Sequence, residues 1–306
     1  MTDSGYILRP ASHGDGVEAF RDFFRIASRS RGKELLQEIL RHYAGFPYEN
    51  LSKIIKHSQN ADPGLKMRLP EEVMEDHARY RLGGTCFALT FFLHTLLIHH
   101  GFDNYPVMAD MRYGPNTHSA LIVRLDGIPY LVDPGYLLNR PLELVRGKPR
   151  FYDAGFSGVE LRYDPVNDVY ELYTFQKTEF KWRYRFRDQA VPLDEFAALW
   201  RASFSWNGMH GLVLSRTERG RLVYVHKTFM RETTFDGKKN MHIRQDYHRR
   251  IHEVFGIHPE RVEQALASLA LNMTREREQG LWVPGKKKEG AKTVSRIIPE
   301  AGLEAG

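Results

Sequence analysis

The chain has 306 residues, of which 42% are hydrophobic and 27% charged, and it carries a formal net charge of +6. That is enough chain for a sizeable core and two or three subdomains, and the composition excludes a disordered or fibrous protein. One cysteine excludes an intrachain disulfide, and a charge this mild suits an anionic small molecule such as a phosphorylated cofactor without implying a nucleic-acid partner.

The opening Met1-Thr2-Asp3-Ser4-Gly5 has neither the basic start nor the apolar core of a signal peptide. The apolar run from Phe87 to Ile98 is too short for a membrane span and is interrupted by His94. The expectation is therefore a cytoplasmic protein with no membrane partner. From about Gly14 to His100 the pattern is helical: Val17 to Phe24 starts one helix, and Glu34 to Leu40 carries a second apolar stripe. Phe46-Pro47-Tyr48-Glu49-Asn50-Leu51 reads as a turn with two aromatics. Pro70-Glu71-Glu72 opens a third helix, with proline at its start and acids in its first turn.

The stretch from Leu82 to Gly101 is the one around which the rest is organised. Gly83-Gly84 leads to Thr85 as a cap, then to a helix apolar on nearly all sides, which belongs in the protein's interior, with Gly101 as its left-handed end. Cys86 falls at the first helical position, where free N–H groups and the helix dipole favour a thiolate. Nucleophile and buried core filler both fit a lone cysteine here, although the glycine pair lets backbone or substrate approach the sulfur closely. His94, His99 and His100 have no carboxylate or thiol spaced to complete a metal site, so no metal is expected; they mark the helix's wetter end.

From Tyr105 the period changes to that of strands: Tyr105 to Tyr113, His118 to Leu125 and Ile128 to Asp133, the last two joined by an Asp126-Gly127 hairpin. A two-residue turn sets Leu125 opposite Ile128, and counting outward sets Ala120 opposite Asp133. His118 then shares the face of Asp133 as a diagonal neighbour, roughly 7–8 Å away, within reach of an imidazole and a carboxylate. Strands follow at Val159 to Tyr163, Val169 to Phe175 and Glu179 to Arg187. The last alternates strictly, with Lys181, Arg183, Arg185 and Arg187 on one face and Trp182, Tyr184 and Phe186 on the other. That basic face is either solvated or a docking strip for a phosphorylated cofactor or an acidic carrier protein. A helix from Leu193 to Arg201, a hairpin turning at Glu218-Arg219-Gly220, a helix from His242 to Phe255 and another from Pro259 to Glu278 complete the ordered part. The lysine-rich Gly285-Lys286-Lys287-Lys288 reads as a disordered tail. No P-loop or Rossmann glycine loop and no Gly-x-Ser-x-Gly elbow occurs.

A thiol at a buried helix start, a histidine on a strand and an aspartate beside it supply the parts of a Cys-His-Asp triad. Their order, Cys86, His118, Asp133, is that of papain-like enzymes, which names the acyl-transfer step but not the acceptor. Over roughly its first 255 residues the chain resembles the arylamine N-acetyltransferases. The resemblance rests on Pro47-Tyr48-Glu49-Asn50-Leu51, Gly83-Gly84-Thr85-Cys86-Phe87, His118-Ser119-Ala120-Leu121-Ile122-Val123 and Tyr130-Leu131-Val132-Asp133-Pro134-Gly135-Tyr136. It implies an α+β fold of papain-like acyltransferase architecture. A helical bundle would span residues 1–104, a β-barrel-like domain 105–210 and an α/β lid 211–258; the C-terminal helix and basic tail at 259–306 have no counterpart in the family.

The resemblance also implies ping-pong transfer of an acetyl or other acyl group from acetyl-CoA, or another acyl-CoA, through the cysteine to an arylamine, hydrazine or other small amine. The catalytic residues would be Cys86, His118 and Asp133. Tyr48, Phe87, Tyr136 and Phe204 would line the acceptor pocket, and Thr117, Gly135, Arg183 and Arg185 would bind the donor. An amide synthase fed by an acyl carrier protein and a catalytically silent scaffold are the alternatives. The chain departs from the family pattern at Leu82, where the family has arginine, at Ala88, and at Pro134-Gly135-Tyr136-Leu137 in place of Val-Gly-Phe-Gly.

Overall fold

The computed structural model describes residues 8–26 and 31–281, so the lysine-rich tail lies outside the described residues. The N-terminal part consists of helices α1 (Gly14–Phe24), α2 (Gly32–Tyr43), α3 (Leu51–Gln59), α4 (Pro70–Tyr80) and α5 (Cys86–His99), with a two-residue strand β1 (Tyr48–Glu49) before α3. The aromatic turn at Phe46 therefore leads at once into a helix, α3, whose Leu51, Ile54 and Ile55 are buried. Every residue of α5 from Cys86 to Leu97 is buried, as its all-round apolar pattern requires. Thr85 holds the cap position without a side-chain cap bond, and Gly101 takes φ +77°. His94 is not at a wet end: it is buried, with Nδ1 2.7 Å from Asn104 Oδ1, because a polar partner in the next strand satisfies it in place of water.

Eight strands follow: β2 (Asp103–Met111), β3 (Gly114–Leu125), β4 (Ile128–Val132), β5 (Leu142–Glu143), β6 (Arg150–Asp153), β7 (Gly158–Asp164), β8 (Val169–Gln176) and β9 (Glu179–Phe186). They form one antiparallel sheet in the order β5-β4-β3-β2-β9-β8-β7-β6. It curls into a nearly closed barrel. Its two edges approach each other, since Tyr152 of β6 donates to the Glu143 carbonyl of β5. Asp126 and Gly127 both take positive φ, as a two-residue primed turn demands, and Leu125 pairs with Ile128 and Leu121 with Val132.

The C-terminal part contains α6 (Leu193–Ala202), strands β10 (Val213–Glu218), β11 (Arg221–His226), β12 (Phe229–Thr233) and β13 (Lys238–His242), then α7 (Tyr247–Phe255) and α8 (Pro259–Glu278). Its five-stranded sheet runs β1-β10-β11-β12-β13, so Tyr48–Glu49 from the helical part supplies an edge strand. The helix expected from His242 starts five residues later. His242 is the last residue of β13, paired with Phe229 at the open end of the β12–β13 hairpin, and Asp246, with φ +49°, breaks the backbone just ahead of α7. Two apolar cores result. One packs α5 between α1 and α4 on one side and the outer face of β2 and β3, with Met108, Leu121 and Val123, on the other; the second fills the barrel with Val107, Ala120, Ile122, Leu131, Leu172 and Tyr184.

Candidate active site

The two cores meet at the start of α5. Gly83 is there because the backbone must be: a Cβ on it would lie 1.9 Å from the Pro47 carbonyl oxygen. The close approach lets Glu49 N–H bond the Gly84 carbonyl, and Tyr48 bridge to Gly84, stitching β1 to the approach to Cys86. One turn beyond Cys86, the Thr90 hydroxyl donates to the Ser119 carbonyl, which pins α5 against β3 beside His118.

Below the glycine pair lies a buried ionic cluster. Glu49 Oε1 and Oε2 accept from the Ser52 hydroxyl and N–H, and Gly83 N–H donates to the same carboxylate. Arg68, 4% exposed, donates to the Gly83 carbonyl at 2.6 Å and to Asp76 at 2.6 Å, and stands 3.8 Å from Glu49. Burial raises the Glu49 pKa and Arg68 opposes that rise. The buried cation beside the glycine pair is Arg68. Arg81, directly before Leu82 in sequence, stacks instead on Phe23.

On the barrel side, His118 shares the inward face of Ala120 and Ile122, and its Nε2 lies 2.8 Å from Asp133 Oδ2. Asp133, fully buried, also accepts the Tyr184 hydroxyl at 2.6 Å on Oδ2 and the Tyr136 N–H at 2.9 Å on Oδ1. With Nε2 committed to the carboxylate, the other ring nitrogen is left to Cys86, whose Cβ borders Gly135 together with His118 Cε1. Burial pushes the Cys86 thiol up, but the hydrogen bond and charge of His118, with help from Lys53, outweigh it and leave the thiol below its ordinary pKa. Burial likewise opposes the imidazolium, yet Asp133 and Cys86 raise His118 to about 10. Cys86 and His118 titrate as one coupled pair, each favouring the charged form of the other.

Gly135 closes the cluster: a Cβ there would come 2.8 Å from His118 Cε1 and 3.0 Å from Cys86 Cβ. Next to it Leu137 takes φ +56°, a conformation that suits the glycine usual at this place and strains a leucine.

The remaining candidate residues divide. Tyr48 and Tyr136 flank the site: the Tyr48 phenol is raised by burial and by the Cys86 charge, and the Tyr136 phenol by burial to about 12. Phe87 is fully buried among Phe196, Trp200 and Trp206, and Phe204 is buried over the Lys53 ammonium. Strand β9 does not alternate strictly. A bulge pairs Leu172 with Tyr184 but Tyr173 with Trp182, leaving Arg183 extra. Before the bulge the faces are exchanged, so Lys181 and Arg183 share the face of Tyr184, and Trp182 joins Arg185 on the other. Arg183 accordingly bonds Thr174 and meets the Tyr136 phenol, whereas Arg185 pairs with Asp110 and Trp182 with Glu171. Thr117 faces away from His118 and bonds the Gly114 carbonyl within the β2–β3 turn.

Sequence reasoning passed over Tyr184, Thr90 and Arg68. Tyr184 reads from the alternation only as one of the aromatics opposite the basic face, and no local pattern marks Arg68. Among the described residues no group of three or more His, Cys, Asp or Glu side chains is placed to hold a metal ion, and no helix is long and apolar enough to cross a membrane.

A family model for N-acetyltransferases matches residues 33–263. No curated protein matches the sequence. Solved structures do match. The arylamine N-acetyltransferase from Mycobacterium abscessus is 19% identical with a TM-score of 0.72, covering 86% of this chain and 99% of its own. That from Nocardia farcinica is 18% identical with a TM-score of 0.68, covering 87% and 98%. That from Salmonella typhimurium is 15% identical with a TM-score of 0.67, covering 83% and 98%. The chain therefore belongs to the N-acetyltransferase family, as a divergent member built on the fold of the arylamine N-acetyltransferases.

Proposed function

We propose that this acyltransferase works through Cys86, His118 and Asp133, taking an acyl group from a coenzyme A thioester and passing it to an amine in two half-reactions. The observation that carries the proposal is the buried cluster in which Asp133 holds His118 Nε2 and both His118 and Cys86 border Gly135. In the first half-reaction the Cys86 thiolate attacks the acyl carbon. A new S–C bond forms, the donor's C–S bond breaks, and the imidazolium passes its proton to the departing thiolate. In the second, the amine attacks the acyl-cysteine, the C–N bond forms as the C–S bond breaks, and His118 takes the amine proton. Asp133 fixes the imidazole tautomer and stabilises its charged form throughout, and Tyr184 and the Tyr136 N–H fix Asp133.

The residues present suit a phosphorylated thioester donor. Gly135 leaves the space over His118 and Cys86 free of a side chain. Lys181 lies near Arg183, Lys238 and Arg112, and although Glu179 pairs with Lys238 the group keeps a net positive charge on the side of β9 that carries Tyr184, which favours phosphates. Arg183 belongs to that group and Arg185 does not.

Intact-protein mass spectrometry after incubation with a panel of acyl-CoAs and acyl carrier proteins tests the reading. One acyl group on Cys86, discharged by an arylamine or hydrazine, is the expected result. Loading only from a carrier-protein thioester selects the amide synthase. No loading from any donor, with Cys86 alkylating no faster than a free thiol, leaves a scaffold.

A further inference from the structure

The C-terminal sheet has two unlike faces. Its register aligns Tyr48, Ser215, Tyr224 and Arg231 in one row across β1, β10, β11 and β12, and sets Leu214, Val225 and Met230 in the next. Paired residues share a face and successive rows alternate. The second face is fixed, with Leu214, Val225 and Met230 buried in the same core as α5. The first is turned to the barrel. Tyr48 at one end of it bridges to Gly84, two residues before Cys86, and Lys238 of β13 at the other end pairs with Glu179 of β9.

What joins this face to the barrel is slight. Among the described residues, the hydrogen-bonded links between the strands and turns of the barrel and those of the C-terminal sheet are two ion pairs: Lys238 with Glu179, and Lys177 with Asp236 at 2.5 Å. All four groups sit where hairpins turn, two at the end of β8–β9 and two at the end of β12–β13. Lys177 and Asp236 are 61% and 77% exposed, and Lys238 and Glu179 25% and 38%. A third contact lies at the same end of the sheet. Gly155 in the β6–β7 turn and Gly220 in the β10–β11 turn meet backbone to backbone, the Gly155 carbonyl oxygen standing 3.7 Å from where a Cβ on Gly220 would be.

Three turn-to-turn contacts therefore bridge the far end of a cleft whose near end is Cys86, and none is of a strong kind. An exposed ion pair shifts an equilibrium by at most about fivefold, and salt screens it. A permanent brace would be built as the opposite face is, from buried apolar side chains. Contacts this weak suit a seam that opens.

We infer that the two ion pairs are a latch: they hold the C-terminal sheet against the barrel, and their release widens the path to Cys86 for bulky groups. The latch follows from the placement of the sheet and does not depend on what Cys86 does chemically.

The test uses the full-length protein, whose only cysteine is Cys86. N-ethylmaleimide and N-(1-pyrenyl)maleimide take up a thiolate by the same addition but differ in bulk, so the ratio of their labelling rates reports access and not thiol pKa. In the wild-type protein the pyrenyl-to-ethyl ratio should rise about five- to twentyfold from about 0.01 M to about 1 M salt, as the Debye length shrinks from about 30 Å to about 3 Å. The variant Lys177→Glu, Lys238→Glu sets like charges against each other at both pairs. Its ratio should be high already at low salt and should rise no further. Adding Glu179→Lys and Asp236→Lys restores both pairs with their signs exchanged, and the wild-type ratio and salt dependence should return.

A wild-type ratio that ignores salt overturns the latch without reference to any variant. A four-site variant that behaves like the double one also overturns it, because charge at positions 177 and 238 then acts by itself and not through the pairs. If Cys86 is acylated while the ratio stays flat, the acyl-transfer reading stands and the latch falls. If no donor loads Cys86 while the ratio answers to salt and to charge exchange, the latch stands and the acyl-transfer reading falls.

Discussion

On the barrel side of the cleft, His118, Asp133 and Tyr184 meet across strands through groups that gain, lose or share protons, whereas on the helical side Cys86 is placed by backbone fit and by a permanently charged arginine. The barrel side depends on register: the two-residue turn at Asp126-Gly127 fixes which residues share a face, and a slip of one would send His118 outward. The helical side depends on contact: Gly83 against Pro47, Thr90 against Ser119, and Arg68 beneath the loop. Damage to the first should alter chemistry in a folded protein. Damage to the second should alter the fold and reach the chemistry only through it.

The largest effect that would sharpen this contrast belongs to Asp133→Asn. The amide keeps the shape but offers His118 the wrong hydrogen-bond partner, so the rate of acyl transfer should drop by about 10⁴-fold with the thermal midpoint little changed. The pH dependence carries the same sign. Because His118 holds the folded Cys86 below its ordinary value of 9.0, iodoacetamide should label the wild-type thiol readily below pH 7. In His118→Ala the labelling rate should rise only as the pH approaches 9. A folded, fully active Asp133→Asn protein would reduce the aspartate to a turn residue and erase the distinction between the two sides.

Next in size is Arg68→Met, which leaves Glu49 buried without its cation. Removing one partner of a buried ion pair is destabilising by about 3–5 kcal/mol, and denaturant unfolding should register it. The double variant Glu49→Gln, Arg68→Met should recover part of the loss, since the fully buried carboxylate is then gone and only the partly exposed Asp76 is left without Arg68. Unchanged stability in Arg68→Met would break the comparison at the helical side.

What could be read in advance follows the same division. The Cys86 helix, the Asp126-Gly127 hairpin and the shared face of His118 and Asp133 are local or one-turn properties, and pattern suffices for them. Arg68 cannot be read this way, because its partners Glu49, Asp76 and the Gly83 carbonyl are gathered by tertiary packing with no fixed spacing. The helix α3 is a different case: Leu51, Ile54 and Ile55 keep helical spacing, but the helix is only nine residues long and starts directly after the aromatic turn, so its short stripe merges with that turn. The bulge in β9 is a third case. Alternation in sequence predicts alternation in space only while every residue has a partner, and Arg183 has none opposite it in β8.

A smaller effect is expected at Tyr184. Phenylalanine would remove the bond to Asp133 Oδ2 while keeping the ring packed between His118 and Phe186. Acyl transfer should slow by about tenfold, in line with a hydrogen bond to a charged group. A purely packing role would leave the pH profile where it is. A positioning role should shift the Cys86 labelling profile toward higher pH, since a less firmly held Asp133 supports the imidazolium less well.

The smallest effect tests the bulge itself. Arg183→Met and Arg185→Met remove the same charge from residues two apart, and in a regular strand both would act on one face. With the faces exchanged, only Arg183 stands beside Tyr136 on the triad side; Arg185 is half exposed and engaged with Asp110. Arg183→Met should raise the apparent KM for an acyl-CoA several-fold and flatten its dependence on ionic strength. Arg185→Met should change neither beyond about twofold, because an exposed ion pair contributes little. Equal effects from the two substitutions would mean that the donor reads the basic strand as an undivided strip, and that the bulge has no part in selecting what approaches Cys86.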